Sequence, residues 1–206
     1  MIKKNKNSNE KQTLLDLPVW NLGDLYPSIK SKKINTDLSF IKNASKSFEK
    51  KYEGKISKLS AENLFKAVKE LEKIDEAMDK ILSFAHLLVA ENADHEKNKI
   101  FFQSMQEKIT KYSSLLIFFT LELNNINTNQ LYNLLKNSNL KQYKTWIETR
   151  RTFKPYQLEK KLEKLLQDKS ITSSSAWVRL FDETIAALRF PFENNFLTSP
   201  EIMNLL

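Results

Sequence analysis

Residues 61–91, AENLFKAVKELEKIDEAMDKILSFAHLLVAE, decide the fold class. Apolar side chains recur at Leu64, Val68, Leu71, Ile74, Met78, Ile81, Ala85 and Leu88, in steps of three and four. That period puts them on one stripe of an α-helix. Ser60 stands in front as an N-cap, because its hydroxyl can accept from an amide of the first turn. Working outward, a second long stripe follows at Phe101, Met105, Ile109, Tyr112, Leu116, Phe119 and Leu123, and predicts a helix from about Asp94 to Leu123. Only Asn92 and Ala93 separate the two, so the pair should fold back as an antiparallel hairpin. Leu115-Leu116-Ile117-Phe118-Phe119 is apolar on every side. It should be buried all round or face another domain.

Upstream, Ile34, Leu38, Ile41, Ala44, Phe48 and Tyr52 predict a helix over 33–52, ended by Gly54 as a C-cap. Downstream, Asn127 with Gln130 has the layout of a capping box. Further helices are predicted near Leu140–Arg151, Leu158–Lys169 and Ser174–Leu188. Phe190-Pro191-Phe192, Glu193-Asn194-Asn195 and Phe196-Leu197 then resemble a short hairpin, and Pro191 keeps such a strand at an edge. Ser199-Pro200-Glu201 has the chemistry of a helix start. The reading is an all-α fold, with a long helical hairpin, shorter helices and a short β-hairpin near the C-terminus. Residues 1–16 are polar and lysine-rich and read as a disordered basic tail. Residues 17–188 form the helical domain, beginning with an extended arm over Leu17–Pro27. Residues 189–206 read as the unfinished start of a following region.

Composition agrees. The chain of 206 residues has 41% apolar residues, enough for a core, and only 2 glycines and 5 prolines to interrupt helices. With no cysteine it can form neither a disulfide nor a thiolate metal site, and it suits a reducing cytoplasm. Met1-Ile2-Lys3-Lys4-Asn5-Lys6 leads into no apolar stretch of a secretory signal. Ile81–Ala90 and Leu115–Leu123 are too short to span a membrane. The net charge of +8 invites a nucleic-acid role. Only four residues are Arg, however, and residues 1–58 hold 13 lysines against 6 acids, so +7 of the charge is local. Phosphate readers rely on Arg forks and aromatic platforms, so no nucleic-acid partner is expected.

No catalytic constellation emerges from the residues. The only histidines are His86 and His95. His86, between Ala85 and Leu87, reads as a core or boundary residue. His95-Glu96-Lys97-Asn98-Lys99 resembles H-E-x-x-H until its fifth position. There an ammonium stands where the second imidazole is needed, and its charge opposes a dication. His95 and Glu96 read better as first-turn residues behind an Asp94 cap. Ser173-Ser174-Ser175 has no base to activate it, and two isolated glycines make no phosphate loop. No catalytic, cofactor-binding or metal residue is assigned.

Three segments carry a resemblance. Trp20-Asn21-Leu22-Gly23-Asp24-Leu25-Tyr26-Pro27 is the first. The second is Arg150-Arg151-Thr152-Phe153-Lys154-Pro155-Tyr156-Gln157-Leu158, and the third is Ser175-Ala176-Trp177-Val178-Arg179-Leu180-Phe181-Asp182-Glu183. In this order and spacing they resemble the N-terminal part of oligoendopeptidase F, of the thimet oligopeptidase superfamily. Ser173-Ser174 departs from the family's Thr-Gly-like step. The resemblance implies a cytoplasmic zinc metalloendopeptidase (a hydrolase) that cleaves oligopeptides in a channel between two helical lobes. It places the zinc motif C-terminal to everything present here. The chain is therefore expected to be truncated, inactive alone and part of the channel wall. Its partners would be oligopeptides and the missing catalytic part, supplied in trans. Arg150, Arg151, Trp177 and Arg179 are the candidates for the channel or lobe interface. Pairing with acids is the blander reading for the arginines, and core packing with Leu180, Phe181 and Leu188 is the blander one for Trp177. A non-catalytic helical peptide- or protein-binding module, or a decaying gene product, are the alternatives. An exposed apolar surface is expected at Leu115–Phe119 and from Phe190 to Leu206.

Overall fold

A computed structural model of the chain describes residues 21–92 and 95–205. The basic tail, the arm residues Leu17–Trp20 and the Ala93–Asp94 connection lie outside the described residues. The described arm makes a single 3-10 turn, Leu22–Asp24, capped by Asn21, whose Oδ1 accepts from the Gly23 amide at 3.0 Å. It ends on Tyr26, which is fully buried. The Tyr26 ring meets Phe84 edge-on at 5.3 Å, and its hydroxyl donates to Asp37 at 2.8 Å.

Three helices make the body: α1 Lys32–Tyr52, α2 Ala61–Glu91 and α3 Glu96–Ser113. Ser60 caps α2 by accepting from the Asn63 amide. Gly54, at φ +73°, takes the left-handed position after α1 that other residues resist. α2 and α3 form the antiparallel hairpin: Phe84 meets Phe101 at 6.0 Å, and the Asn98 amide donates to the Leu88 carbonyl at 3.1 Å. The position expected for an Asp94 cap is taken by His95, whose side chain makes no capping bond.

The second arm of the hairpin is broken, not continuous to Leu123. α3 stops at Ser113, and α4, Ile117–Asn125, restarts after a tight turn. Within that turn the Leu115 and Leu116 amides bond three residues back, to Tyr112 and Ser113. The Ser113 hydroxyl donates to the Thr110 carbonyl, which still accepts from the Ser114 amide, and the Ser114 hydroxyl donates to the Lys111 carbonyl, which a straight helix would pair with the Leu115 amide. The break turns Leu116, Phe118 and Phe119 inward, where Phe48 meets the two phenylalanine rings at 5.8 and 5.7 Å. Leu116, Phe118 and Phe119 thus fill the chain's own core, as the first of the two readings expected, while Leu115 and Ile117 are half-buried, and the run is not an exposed surface.

The next elements are short: α5 Thr128–Leu134, α6 Ser138–Lys141 and α7 Lys144–Arg151. The expected helix Leu140–Arg151 is thus two pieces, interrupted at Gln142–Tyr143. The capping box does not close either. Asn127 caps α5 through the Asn129 amide, but Gln130 donates instead to the Ser57 carbonyl at 2.6 Å. Beyond the 3-10 turn Lys154–Tyr156 come α8 Lys160–Ser170 and α9 Ser174–Ala187. A two-stranded antiparallel hairpin follows, β1 Phe190–Phe192 with β2 Asn195–Leu197, pairing Pro191 with Phe196. Last is α10 Ser199–Met203, whose cap is Thr198, one residue earlier than expected, closed by Glu201. Among the described residues no helix is long and apolar enough to cross a membrane.

The core runs from Tyr26 to Ile147, and among the described residues no buried side chain follows Ile147. Polar contacts attach the later layer to the body. Gln157 accepts from the Asn124 amide at 3.0 Å and donates to the Leu121 carbonyl at 3.3 Å. Gln167 donates to the Ser113 hydroxyl at 3.1 Å, and Lys160 pairs with Glu53.

Candidate functional site

The four candidate residues stand in separate places. Arg151 lies at the end of α7 and turns back on α4. Its Nη1 donates to the carbonyls of Leu123, Asn124 and Ile126 at 3.0, 3.1 and 2.9 Å. These include carbonyls that the last turn of α4 leaves without an amide, so a cation at this end is doubly favourable. Arg151 is therefore engaged by backbone acceptors.

Arg150 points the other way. Its guanidinium lies 4.3 Å from the centre of the Trp146 ring, a stacking that favours Arg over Lys. It looks onto a cleft of about 800 Å3 between α2 and α7, lined by Glu72, Asp75, Glu76 and Asp79. Burial pushes the Asp75 carboxyl up to about 6, with Arg150 opposing the shift and Asp79 adding to it. Arg150 Nε is buried without a hydrogen-bond acceptor. Arg150 is thus a ring-stacked arginine at the edge of an acid-lined cleft that Ser83 and Tyr143 also border.

Trp177 and Arg179 share α9 but not a face. Trp177 is 71% exposed, and Leu180, Phe181 and Leu188 lie open beside it. The expectation that these four form core is overturned: their face of α9 points away from the body. The opposite face carries Ser174, Ser175, Val178, Arg179, Asp182 and Glu183, and borders a cleft of about 460 Å3 against α2 and α3. The helix thus turns its apolar stripe outward and its polar stripe inward. A helix resting on a complete body normally does the reverse.

Two functional side chains escaped the sequence reading. Glu122 holds the α1–α2 connection, accepting from the Gly54 amide at 2.6 Å and the Ile56 amide at 3.1 Å. Gln157 anchors the turn after Arg151. Both are single polar residues reaching distant backbone, and no periodicity signals them. His95 is exposed, His86 packs its ring 5.8 Å from Phe102, and Lys99 lies on that same cleft. Among the described residues no group of three His, Cys, Asp or Glu side chains could hold a metal ion.

Residues 122–190 match the family model described as Oligopeptidase F, an N-terminal model of the M3 peptidases. That span includes Arg151, Gln157, Trp177 and Arg179, but not the Trp20–Pro27 phrase. The comparison with curated proteins gave no match. Among solved structures the chain is similar to oligoendopeptidase-F from Enterococcus faecium, with a TM-score of 0.67 and 16% identity over 81% of this chain. It spans only 33% of that structure's own length. At that identity the likeness shows a shared fold, while the family match locates the sequence signature in α4 to β1. Residues 122–190 thus carry the sequence signature of the oligopeptidase F family, and the chain as a whole resembles an N-terminal part of an oligoendopeptidase F-like fold.

Proposed function

We propose that this chain serves as the non-catalytic wall of an oligoendopeptidase F-type zinc metallopeptidase. In this reading a catalytic part outside these 206 residues supplies the zinc ligands and the water-activating carboxylate, and closes over the outward face of α9. Substrates are oligopeptides, held in the channel between the two parts. The observation that carries the reading is the outward apolar stripe Trp177, Leu180, Phe181 and Leu188, continued by Phe196 at 73% exposure and by Met203 and Leu205. A contiguous apolar face of this kind is unusual on a self-sufficient monomer and marks a protein contact. The related structure offers an occupant, since two thirds of its length has no counterpart here.

The test is reconstitution. The chain is mixed with the separately expressed catalytic part of an oligoendopeptidase F-type enzyme, in the presence of zinc. Co-elution and hydrolysis of a fluorogenic oligopeptide by the mixture alone are the expected result. Trp177→Asp combined with Phe181→Asp should abolish both. Zinc-dependent cleavage by this chain alone, or a mixture that neither associates nor cleaves, would overturn the proposal.

A further inference from the structure

Between α5 and α7 lies an open cleft of about 860 Å3 that shares no residue with α9. Its border carries four basic side chains, Lys136, Lys141, Lys144 and Arg151, against one acid, Glu148, leaving three positive charges. Lys136 follows α5, Lys141 ends α6 and Lys144 begins α7, so the lysines belong to the connections at one end of the cleft. Arg151, at the far end of α7, meets the start of α5, where its Nη2 donates to the Thr128 hydroxyl at 3.4 Å. Its bonds to three carbonyls fix that charge in place. Elsewhere exposed lysines find carboxylates: Lys66 pairs with Glu62 at 2.8 Å, and Lys69 with Glu72 at 2.6 Å. In the cleft Glu148 reaches only Lys144, at 3.8 Å. Lys136 and Lys141 form no ion pair among the described residues. Lys136 lies instead 5.1 Å from the centre of the Tyr132 ring, a contact that holds its ammonium at the border. Like charges gathered without a counter-charge repel one another and raise the local positive potential. A bound anion removes that cost.

We propose that this cleft binds a chain of linked phosphates, carried either by free polyphosphate or by a nucleoside triphosphate. Lys136, Lys141 and Lys144 meet the phosphate oxygens, and the fixed charge of Arg151 draws the chain along the cleft. A single phosphate group brings only about −1.5 to −2 charges and serves one end. Linked phosphates spread more charge along the line from Lys144 to Arg151, over which α7 advances about 10 Å. Ammonium groups on flexible stems suit such a ligand, because they act as point charges that need no fixed angle. Tyr132, 68% exposed beside the lysines, offers a nucleobase a stacking surface, and so separates the two sources of phosphate. The local +7 of residues 1–58 is a different attraction, diffuse and outside this cleft. The site stands independently of the peptidase reading, because it needs neither zinc nor a catalytic part.

The test titrates sodium tripolyphosphate and, separately, ATP into the full 206-residue chain at about 0.15 M salt, where diffuse attraction is screened. Calorimetry should show saturable one-to-one binding of tripolyphosphate, with orthophosphate at least tenfold weaker. Affinity for ATP no greater than for tripolyphosphate assigns the site to free polyphosphate. A greater affinity, lost in Tyr132→Ala, assigns it to a nucleoside triphosphate. Lys136→Gln combined with Lys141→Gln and Lys144→Gln should weaken tripolyphosphate binding at least tenfold. The charge-matched triple Lys32→Gln, Lys33→Gln and Lys42→Gln on α1 should leave it unchanged. All six lysines are exposed, and circular dichroism checks that both triples fold. Should the cleft triple unfold, NMR on the unaltered chain decides, since bound tripolyphosphate should shift the Tyr132 ring signals. Absence of saturable binding, equal weakening by the two triples, or Tyr132 signals unmoved at saturation would overturn the proposal.

Discussion

Arg150 and Arg151 are adjacent in sequence and face opposite problems. Arg151 closes the end of α4 by meeting three carbonyls with one nitrogen. Hydrogen bonds to a charged group contribute about 1.5–3 kcal/mol, so Arg151→Ala should lower unfolding stability by about that much in urea titrations. Arg151→Lys should recover only part of it, since an ammonium lacks the guanidinium's planar fork. Arg150, by contrast, borders a cleft of carboxylates, where burial raises Asp75 against the pull of the guanidinium. The Asp75 carboxyl titrates at about 6 in the folded chain, against 3.8 ordinarily. The folded state therefore prefers the proton. That preference adds stability below about pH 4 and is lost as pH rises through 6. Glu72, Glu76, Asp79, Lys80, Tyr143 and Arg150 border the same cleft, and its open mouth admits screening water. Taken whole, the rise from 3.8 to about 6 corresponds to about 3 kcal/mol, and screening reduces this to about 1–2 kcal/mol. Asp75→Asn should thus match the wild-type chain at pH 4 and exceed it by about that amount at pH 7.5. Denaturation midpoints across this range check it, and a constant offset at every pH would refute the assignment.

At the scale of elements, α2 and α9 show what a stripe in a sequence can and cannot report. Both have apolar residues in steps of three and four, and both are helices with the expected bounds to within a residue. Leu64 to Ala85 are buried, yet Trp177, Leu180 and Phe181 are open. Periodicity reports that a face is apolar, and it does not say which polypeptide covers that face. The break between α3 and α4 was illegible for a related reason. A turn tightened by three-residue hydrogen bonds hardly disturbs the rhythm from Tyr112 to Phe119, and only the Ser113–Ser114 hydroxyls mark it. The Arg179 cleft was legible as residue types but not as a place, because Lys99 and Arg179 are brought together only by the packing of α9 on the hairpin. The two stripes should answer differently to mutation. Phe119→Ala, in the core, should cost about 3–5 kcal/mol. Trp177→Ser with Phe181→Ser should change stability by no more than about 0.5 kcal/mol per site. The same pair should reduce self-association in sedimentation velocity. A large loss of stability from the α9 pair would mean that its outward face is not free.

Across the whole molecule, burial divides the chain at Ile147. Before it, three long helices and the turn into α4 share one apolar interior, with Phe48, Phe84, Phe118 and Phe119 fully enclosed. After it, α8, α9, the hairpin and α10 contribute no buried residue and hold on through Gln157, Gln167 and the Lys160–Glu53 pair. Exposed ion pairs and single hydrogen bonds contribute about 1 kcal/mol each or less, whereas each enclosed large apolar side chain contributes about 1.5–3 kcal/mol. The two regions should therefore open with different free energies, the later one without unfolding the earlier one. Hydrogen exchange on the isolated chain should show amides of α8 and α9 exchanging orders of magnitude faster than those of α2. Limited proteolysis should cut between Phe153 and Leu205 while leaving the Lys32–Arg151 body intact. A catalytic part seated on the α9 stripe would bury it and should bring α9 protection close to that of α2. Uniform protection from α1 to α9 in the isolated chain would contradict this division. It would show that the polar ties alone make α9 part of the cooperative body, and the outward stripe would then need no partner to hold the helix in place.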